Sequence, residues 1–311
     1  MSKNTNKIKV AVIQAGSVIM NKAACLNKVN MWTEQAANKK AKIVLFPEAF
    51  IPGYPRGLYF GTKVGDRSQA GKKDFARYWK ESINLQDPEI RELGKIAKKN
   101  NVYLIIGVIE KDDKQHGGTL YCTILYVNPQ GELLGKHRKL KPTGTERVIW
   151  GEGDGSTLTA IKTPYGTVGG LICWENYMPL ARAAMYQKGV DIYVTPTADA
   201  REQWQATIRH IALEGRCFVL AANQFVTKEM YPTDLTCYDE LATEPEVMSR
   251  GGSAIIDPLG NYLAGPLYDQ EGLLLAELDF TAITHGRYDF DVVGHYSRPD
   301  VFQLLVNDTK K

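Results

Sequence analysis

Short, wholly apolar runs alternate along this chain with segments of helical spacing. A strand that is apolar at every position, rather than at every second one, belongs to a sheet covered on both faces. Residues 9–14 and 43–46 predict strands, with a helix over 22–39 between them. Asp87-Pro88-Glu89 predicts a helix start, after which Ile90, Leu93, Ile96 and Ala97 share one face as far as Asn100-Asn101. Residues 102–109 predict another strand, and residues 120–127 and 132–140 flank Asn128-Pro129-Gln130-Gly131 as a hairpin. The second half repeats the logic, with strands over 167–173, 192–195, 218–222, 252–256, 262–263 and 273–278 and helices over 179–188 and 203–216. No Pro-, Gly- or Ser-rich linker divides the chain. The expectation is an α/β fold in one domain over residues 1–311, with two packed sheets and helices outside them. Its core is expected over about 8–280, with 281–311 at the edge of the site or at an oligomer interface. Two stretches, 51–71 and 227–250, lack regular pattern, as functional or interface loops do.

A chain of 311 residues can bury a large core without disulfides or metals. Its net charge of +3 (38 basic minus 35 acidic residues) is too small to argue for nucleic acid as partner. Five widely spaced cysteines include no Cys-x-x-Cys pair, so a zinc ribbon or thioredoxin-type site is not expected. The polar, basic start over 1–9 has no apolar segment of signal-peptide type behind it, and no run is long enough to span a membrane. These features predict a cytoplasmic, reduced setting.

Cys173 carries the sharpest chemical signal. It ends the run Gly169-Gly170-Leu171-Ile172, and a helix opening at Pro179 and stopping at Gly189 follows it. A thiol at a strand end that faces a helix N-terminus sits in a positive field, which favours the thiolate. The plainer reading is a small buried hydrophobe. A cysteine nucleophile needs a base and a group that stabilises charge on the substrate. The five histidines, at 116, 137, 210, 285 and 295, form no recognisable Cys-protease pattern. The Gly-x-Ser-x-Gly, His-Glu-x-x-His, Walker and Gly-x-Gly-x-x-Gly motifs are also absent. Glu48 follows the apolar strand 43–46 and a proline, the end at which α/β folds present catalytic groups, though a carboxylate there also serves as a cap. Lys139 lies in the basic run 136–141. Such a run is often a solvated edge, but strand alternation would turn Lys139 inward while Arg138 and Leu140 face out.

Leu45-Phe46-Pro47-Glu48, His137-Arg138-Lys139-Leu140 and Leu171-Ile172-Cys173-Trp174-Glu175 together resemble the three signature blocks of the nitrilase, or carbon–nitrogen hydrolase, superfamily. The resemblance runs from about Lys9 to Leu305. Cys173-Trp174-Glu175-Asn176-Tyr177-Met178-Pro179 is similar to the true nitrilase branch, as are Gly53-Tyr54-Pro55-Arg56-Gly57, Arg250-Gly251-Gly252-Ser253 and the segment 291–300. The resemblance implies a four-layer α-β-β-α sandwich with two packed mixed β-sheets. It implies Glu48 as general base, Lys139 as cationic stabiliser, Cys173 as nucleophile and Glu146 as a second glutamate that orients Lys139 and the substrate. Glu146 has a plainer reading as a loop salt bridge with Arg147. Tyr54, Trp174 and His295 are candidates for substrate contact, the first two as pocket walls and His295 as an anchor of the C-terminal segment. Each also has a structural reading.

The implied reaction is hydrolysis of an organic nitrile to carboxylic acid and ammonia through a thioimidate and a thioester on Cys173. Neither a metal nor an organic cofactor is expected. The expected partners are a small nitrile, water and further copies of the chain, as a dimer or a larger spiral, with neither nucleic acid nor membrane. Rival readings are a cyanide hydratase or dihydratase, an aliphatic amidase on the same residues, and a non-catalytic scaffold. The Cys-Trp-Glu-Asn block speaks against the amidase. An intact Glu48, Lys139 and Cys173 speak against the scaffold.

Overall fold

A computed structural model describes residues 6–86, 88–112 and 117–310. Asp87, which the sequence marks as a helix start, His116 and the first five residues lie outside the described residues. In chain order the elements are β1 (Lys7–Gln14), α1 (Lys22–Asn38), β2 (Ile43–Leu45), β3 (Thr62–Lys63), β4 (Asp66–Arg67), α2 (Gln69–Glu81), α3 (Pro88–Asn100), β5 (Tyr103–Lys111), β6 (Leu120–Val127) and β7 (Leu133–Arg138). There follow β8 (Ala160–Thr163), β9 (Gly166–Gly170), α4 (Pro179–Gln187), β10 (Ile192–Thr197), α5 (Glu202–Gly215), β11 (Phe218–Asn223), β12 (Phe225–Thr227), β13 (Val247–Ile256), β14 (Tyr262–Tyr268), β15 (Gly272–Asp279) and α6 (Thr281–Asp289).

Two mixed sheets form. The first has the order β15-β1-β2-β5-β6-β7, and the second β12-β13-β11-β10-β9-β8 with β14 paired to β13. Within them β1, β2 and β5 run parallel, as do β9, β10 and β11. Alternation along each strand divides the side chains between layers. Val10, Val12, Ile43 and Leu45 of the first sheet meet Ile192, Val194, Leu220 and Ile255 of the second in a shared central core. The alternate residues Ala11, Ile13, Val44 and Phe46 pack outward on Cys25 and Val29 of α1 and on Leu93 and Ala97 of α3. On the other side Tyr193, Val219 and Ala254 pack on Met185 of α4 and on Trp204, Ile208 and Ile211 of α5. Helix, sheet, sheet, helix is therefore the layer order, because each sheet has two apolar faces to cover.

Local chemistry sets several boundaries. Asn21 caps α1 by accepting from Ala24 N at 3.0 Å, Pro179 opens α4, and Gly189 at φ 71° ends it. Helix α2 lies over a stretch with no predicted element. Phe75, Tyr78 and Trp79 turn one face to the central core, while Gly71 and Asp74 are buried with them, and Ser68 caps the helix at Gly71 N. The expected strand over 167–173 ends at Gly170, and Cys173 opens a 3-10 turn that reaches Tyr177. β7 stops at Arg138, one residue before Lys139, while β13 begins inside the expected loop 227–250.

The two irregular stretches brace one another. Glu240 accepts from the backbone N–H groups of Tyr59, Phe60 and Gly61 at 2.7, 3.1 and 2.6 Å. Asp74 of α2 accepts from Thr236 N and Cys237 N at 3.1 and 2.7 Å. Tyr231 Oη donates to the carbonyl of Arg56 at 2.8 Å. These contacts fix the loops that wall the site described next. Among the described residues no helix is long and apolar enough to cross a membrane.

Candidate active site

Glu48, Lys139 and Cys173 come together where strands of the two sheets end facing one another. Glu48 leaves β2, Lys139 leaves β7, and Cys173 follows β9 by three residues. The backbone around Glu48 is tightly seated. Phe46 N donates to Ile105 O at 2.9 Å, Phe50 N to Gly107 O at 2.8 Å, and Gln224 Nε2 of the second sheet to Glu48 O at 2.9 Å. A Cβ on Gly107 would stand 2.4 Å from Pro47 O and 2.7 Å from Glu48 Cα, so only glycine lets β5 approach so closely.

Lys139 is 1% exposed and sits between two carboxylates. Its Nζ donates to Glu48 Oε1 and Glu146 Oε2, each at 2.8 Å. Glu146 in turn accepts from Tyr54 Oη at 2.6 Å and from Thr143 N at 2.7 Å. It is thus tied to Lys139, not to its neighbour Arg147. Cys122 Sγ donates to Glu48 Oε1 at 3.5 Å, while Glu48 Oε2 is buried with no hydrogen-bond partner. Cys173 is 4% exposed and takes the left-handed conformation at φ 50°, uncommon for a residue with a Cβ and a form of strain found at functional turns. Asn176 Nδ2 donates to Cys173 O at 2.8 Å, to Leu171 O at 3.1 Å and to Thr195 Oγ1 at 2.9 Å, which secures the turn.

Burial dominates the electrostatics. It raises the Glu48 carboxyl above its ordinary value, with Glu146 adding to the rise, while Lys139 and the Cys173 thiol oppose it. Burial alone would discharge Lys139, but the negative charges of Glu48 and Glu146 outweigh it and hold the ammonium. Burial and then Glu48 push the Cys173 thiol well up. This corrects the expectation of a thiolate favoured by a helix terminus. A 3-10 turn separates Cys173 from α4, and a buried carboxylate faces the sulfur, so the resting group is a thiol.

A cavity of about 520 Å³ opens beside Cys173, with Tyr54, Arg56, Trp174, Ala198, Met248 and Arg250 among its walls. Trp174 is 41% exposed, and its Nε1 donates to Asp199 Oδ2 at 2.9 Å. Arg201 bonds the same carboxylate at 2.6 Å and lies over the indole at 4.8 Å. Tyr54 and Trp174 therefore stand where the sequence places them. His295 does not. It is exposed on the segment after α6, makes its ring contact with Tyr296 at 5.6 Å, and lines no part of this cavity.

Within the basic run 136–141 the inner cations are engaged and only Lys141 stays exposed. Lys136 and Arg138 converge on the buried Glu110 at 2.5 and 2.6 Å, and Lys141 pairs with Glu152. Two residues of the signature blocks gain partners that spacing alone did not reveal, since His137 Nε2 meets Glu175 Oε1 at 2.7 Å. Among the described residues, no group of three or more His, Cys, Asp or Glu side chains is placed to hold a metal ion.

The family model for carbon-nitrogen hydrolases matches residues 9–288. The chain is 50% identical over 309 residues to a bifunctional nitrilase/nitrile hydratase NIT4A of Lupinus angustifolius, covering 98% of this chain and 87% of the relative. It is also 50% identical over 306 residues to an aliphatic nitrilase of Sinorhizobium fredii, covering 98% and 97%. In fold it is similar to Saccharomyces cerevisiae Nit3, a member of branch 10 of the nitrilase superfamily, at a TM-score of 0.74 and 23% identity over 93% of this chain and 96% of the other. The chain belongs to the carbon–nitrogen hydrolase family.

Proposed function

We propose that this enzyme hydrolyses an organic nitrile to its carboxylic acid and ammonia, with Cys173 as nucleophile, Glu48 as base and Lys139 as cationic stabiliser. One observation carries the assignment of roles. Lys139 and Cys122 both occupy Oε1 of Glu48, and buried Oε2 is left without a partner beside the thiol. The Cys173 proton passes to that oxygen as sulfur bonds the nitrile carbon, and Glu48 then hands the same proton to the nitrile nitrogen, giving a thioimidate and an ionised Glu48. Lys139 faces the charge that builds on nitrogen, where such a contact contributes about 3 kcal/mol. Glu48 then takes a proton from water as its oxygen adds to the thioimidate carbon. The carbon–nitrogen bond breaks, ammonia leaves, and a thioester remains. A second water cleaves the carbon–sulfur bond, releasing the acid and restoring the thiol. The balance is one nitrile and two waters to one acid and one ammonia.

Glu146 orients Lys139, and Tyr54 fixes Glu146. A second outcome branches at the tetrahedral stage, where loss of sulfur instead of nitrogen releases amide. The lupin relative, a bifunctional nitrilase/nitrile hydratase, favours testing for it. The chain acts as one catalytic unit, with the segment after α6 at the edge of the site or at an oligomer interface. Leu304 packs against the outer core of the second sheet in support of this. We place the enzyme in a homo-oligomer, a reading supported by exposed Tyr177, Met178, Leu180 and Leu213 on the helical layer over that sheet. Five buried, unpaired cysteines suit a reducing compartment such as the cytoplasm.

The test is a panel of aromatic, arylaliphatic and aliphatic nitriles, the matching amides and cyanide, with acid, amide and ammonia read by mass spectrometry. Nitriles are expected to give mainly acid. Turnover of amides or of cyanide without turnover of organic nitriles would overturn the assignment.

A further inference from the structure

Glu175 and His137 are buried together behind the site, and the mechanism above uses neither. The Glu175 carboxylate accepts three hydrogen bonds from two distant segments. Ile172 N donates to Oε1 at 2.5 Å, His137 Nε2 to Oε1 at 2.7 Å, and Leu140 N to Oε2 at 2.8 Å. Ile172 immediately precedes Cys173, and Leu140 immediately follows Lys139. One carboxylate thus grips the chain neighbours of both the thiol and the ammonium. His137, in β7, lies two residues before Lys139, and both side chains are buried. Its Nδ1 meets the carbonyl of Thr157 at 3.0 Å. A carbonyl only accepts, so Nδ1 carries hydrogen, and Nε2 facing a carboxylate carries it too.

We propose that Glu175, paired with a doubly protonated His137, is a positioning residue that locks the Lys139 segment to the strained Cys173 turn and so sets the spacing of ammonium and sulfur. The proposal rests on the nitrilase reading for what that spacing serves. Neither side chain lines the cavity at Cys173, so both act through the residues they hold. A left-handed cysteine persists only where its surroundings over-determine it. Here Glu175 and Asn176 fix the turn from its two sides, since Arg182 Nη1 also donates to Asn176 O at 2.5 Å. Gln at 175 would present one acceptor oxygen and an amide that donates, against three donors, and would release at least one of the two segments.

The experiment compares Glu175→Gln and His137→Gln with the wild type in two readouts. The first is the rate at which iodoacetamide alkylates Cys173 in substrate-free protein, scored on the peptide that carries it. The second is kcat and KM on the nitrile turned over fastest. Glu175→Gln is expected to slow alkylation at least about tenfold and lower kcat about a hundredfold, with KM within about threefold, as misplacement near 1 Å does. His137→Gln keeps an N–H donor and the backbone contacts of Glu175, and is expected to lower kcat about tenfold. Folded variants with wild-type alkylation and kcat, or with only a raised KM, would overturn the proposal. If Glu175→Gln does not fold, His137→Gln decides. If neither folds, the histidine ¹⁵N spectrum of the wild type decides: both ring nitrogens of His137 protonated at neutral pH supports the pair, and a neutral ring refutes it. Slower alkylation in an enzyme that turns over no nitrile would leave the positioning role standing and remove the nitrile reading.

Discussion

Cys173→Ala is expected to lower ammonia release from a nitrile by at least about 10⁴-fold, because loss of a nucleophile removes the covalent route altogether. Sulfur is the one atom at this position that can bond the nitrile carbon, and no neighbouring group substitutes for it. Cys122, another thiol at the site, is buried in β6 and donates to Glu48. The turn itself should survive. Alanine has no more trouble than cysteine at φ 50°, and Asn176 holds the backbone carbonyl of residue 173 rather than its side chain. Ammonia release is measured over hours beside a thermal melt. A folded variant with more than about one per cent of wild-type activity would remove Cys173 from the role of nucleophile.

The second large effect belongs to Glu48. Glu48→Gln is expected to cost about 10³-fold in kcat, the range for loss of a positioned general base. The fold should tolerate it, since a glutamine oxygen still accepts from Lys139 and Glu146 still balances the ammonium. The pH profile separates a base from a mere partner of Lys139. A base works ionised, and burial lifts the Glu48 carboxyl above its ordinary value near 4.5. The wild-type kcat/KM should therefore fall as pH drops, and the fall should set in above the ordinary carboxylate range. In Glu48→Gln the residual activity should lose that acid limb. On the alkaline side Lys139 keeps its proton, so the profile should show no loss there from discharge of the lysine. An acid limb that persists unchanged in Glu48→Gln would assign it to another group.

Much of the fold was legible because the strands that build it are apolar throughout. Residues 9–14, 43–46 and 102–109 predicted β1, β2 and β5, and the spacing of Leu93, Ile96 and Ala97 predicted α3. The meeting of Glu48, Lys139 and Cys173 was foreshadowed by strand ends and by three blocks whose order matched a known superfamily. What escaped has physical reasons. Helix α2 carries only a short aromatic stripe, Phe75, Tyr78 and Trp79, and buries the poor helix formers Gly71 and Asp74 beside it. The bracing of 59–61 by Glu240 and of 236–237 by Asp74 joins segments more than 160 residues apart, which no local period encodes. The thiolate expectation took account of the helix after Cys173 but not of burial and Glu48, which act through space. Glu175 lies within a signature block, yet its partners His137, Leu140 and Ile172 meet it only where β7 and the turn after β9 lie side by side.

The central claim is a covalent bond between substrate carbon and Cys173. Acid quenching during steady turnover of a nitrile, followed by digestion and mass spectrometry, tests it directly. The account predicts a fraction of the peptide carrying Cys173 with the mass of the acyl group or its imidate, absent in Cys173→Ala. Turnover at full rate with that peptide unmodified under every quench condition, or with the mass increment on another residue, would contradict it.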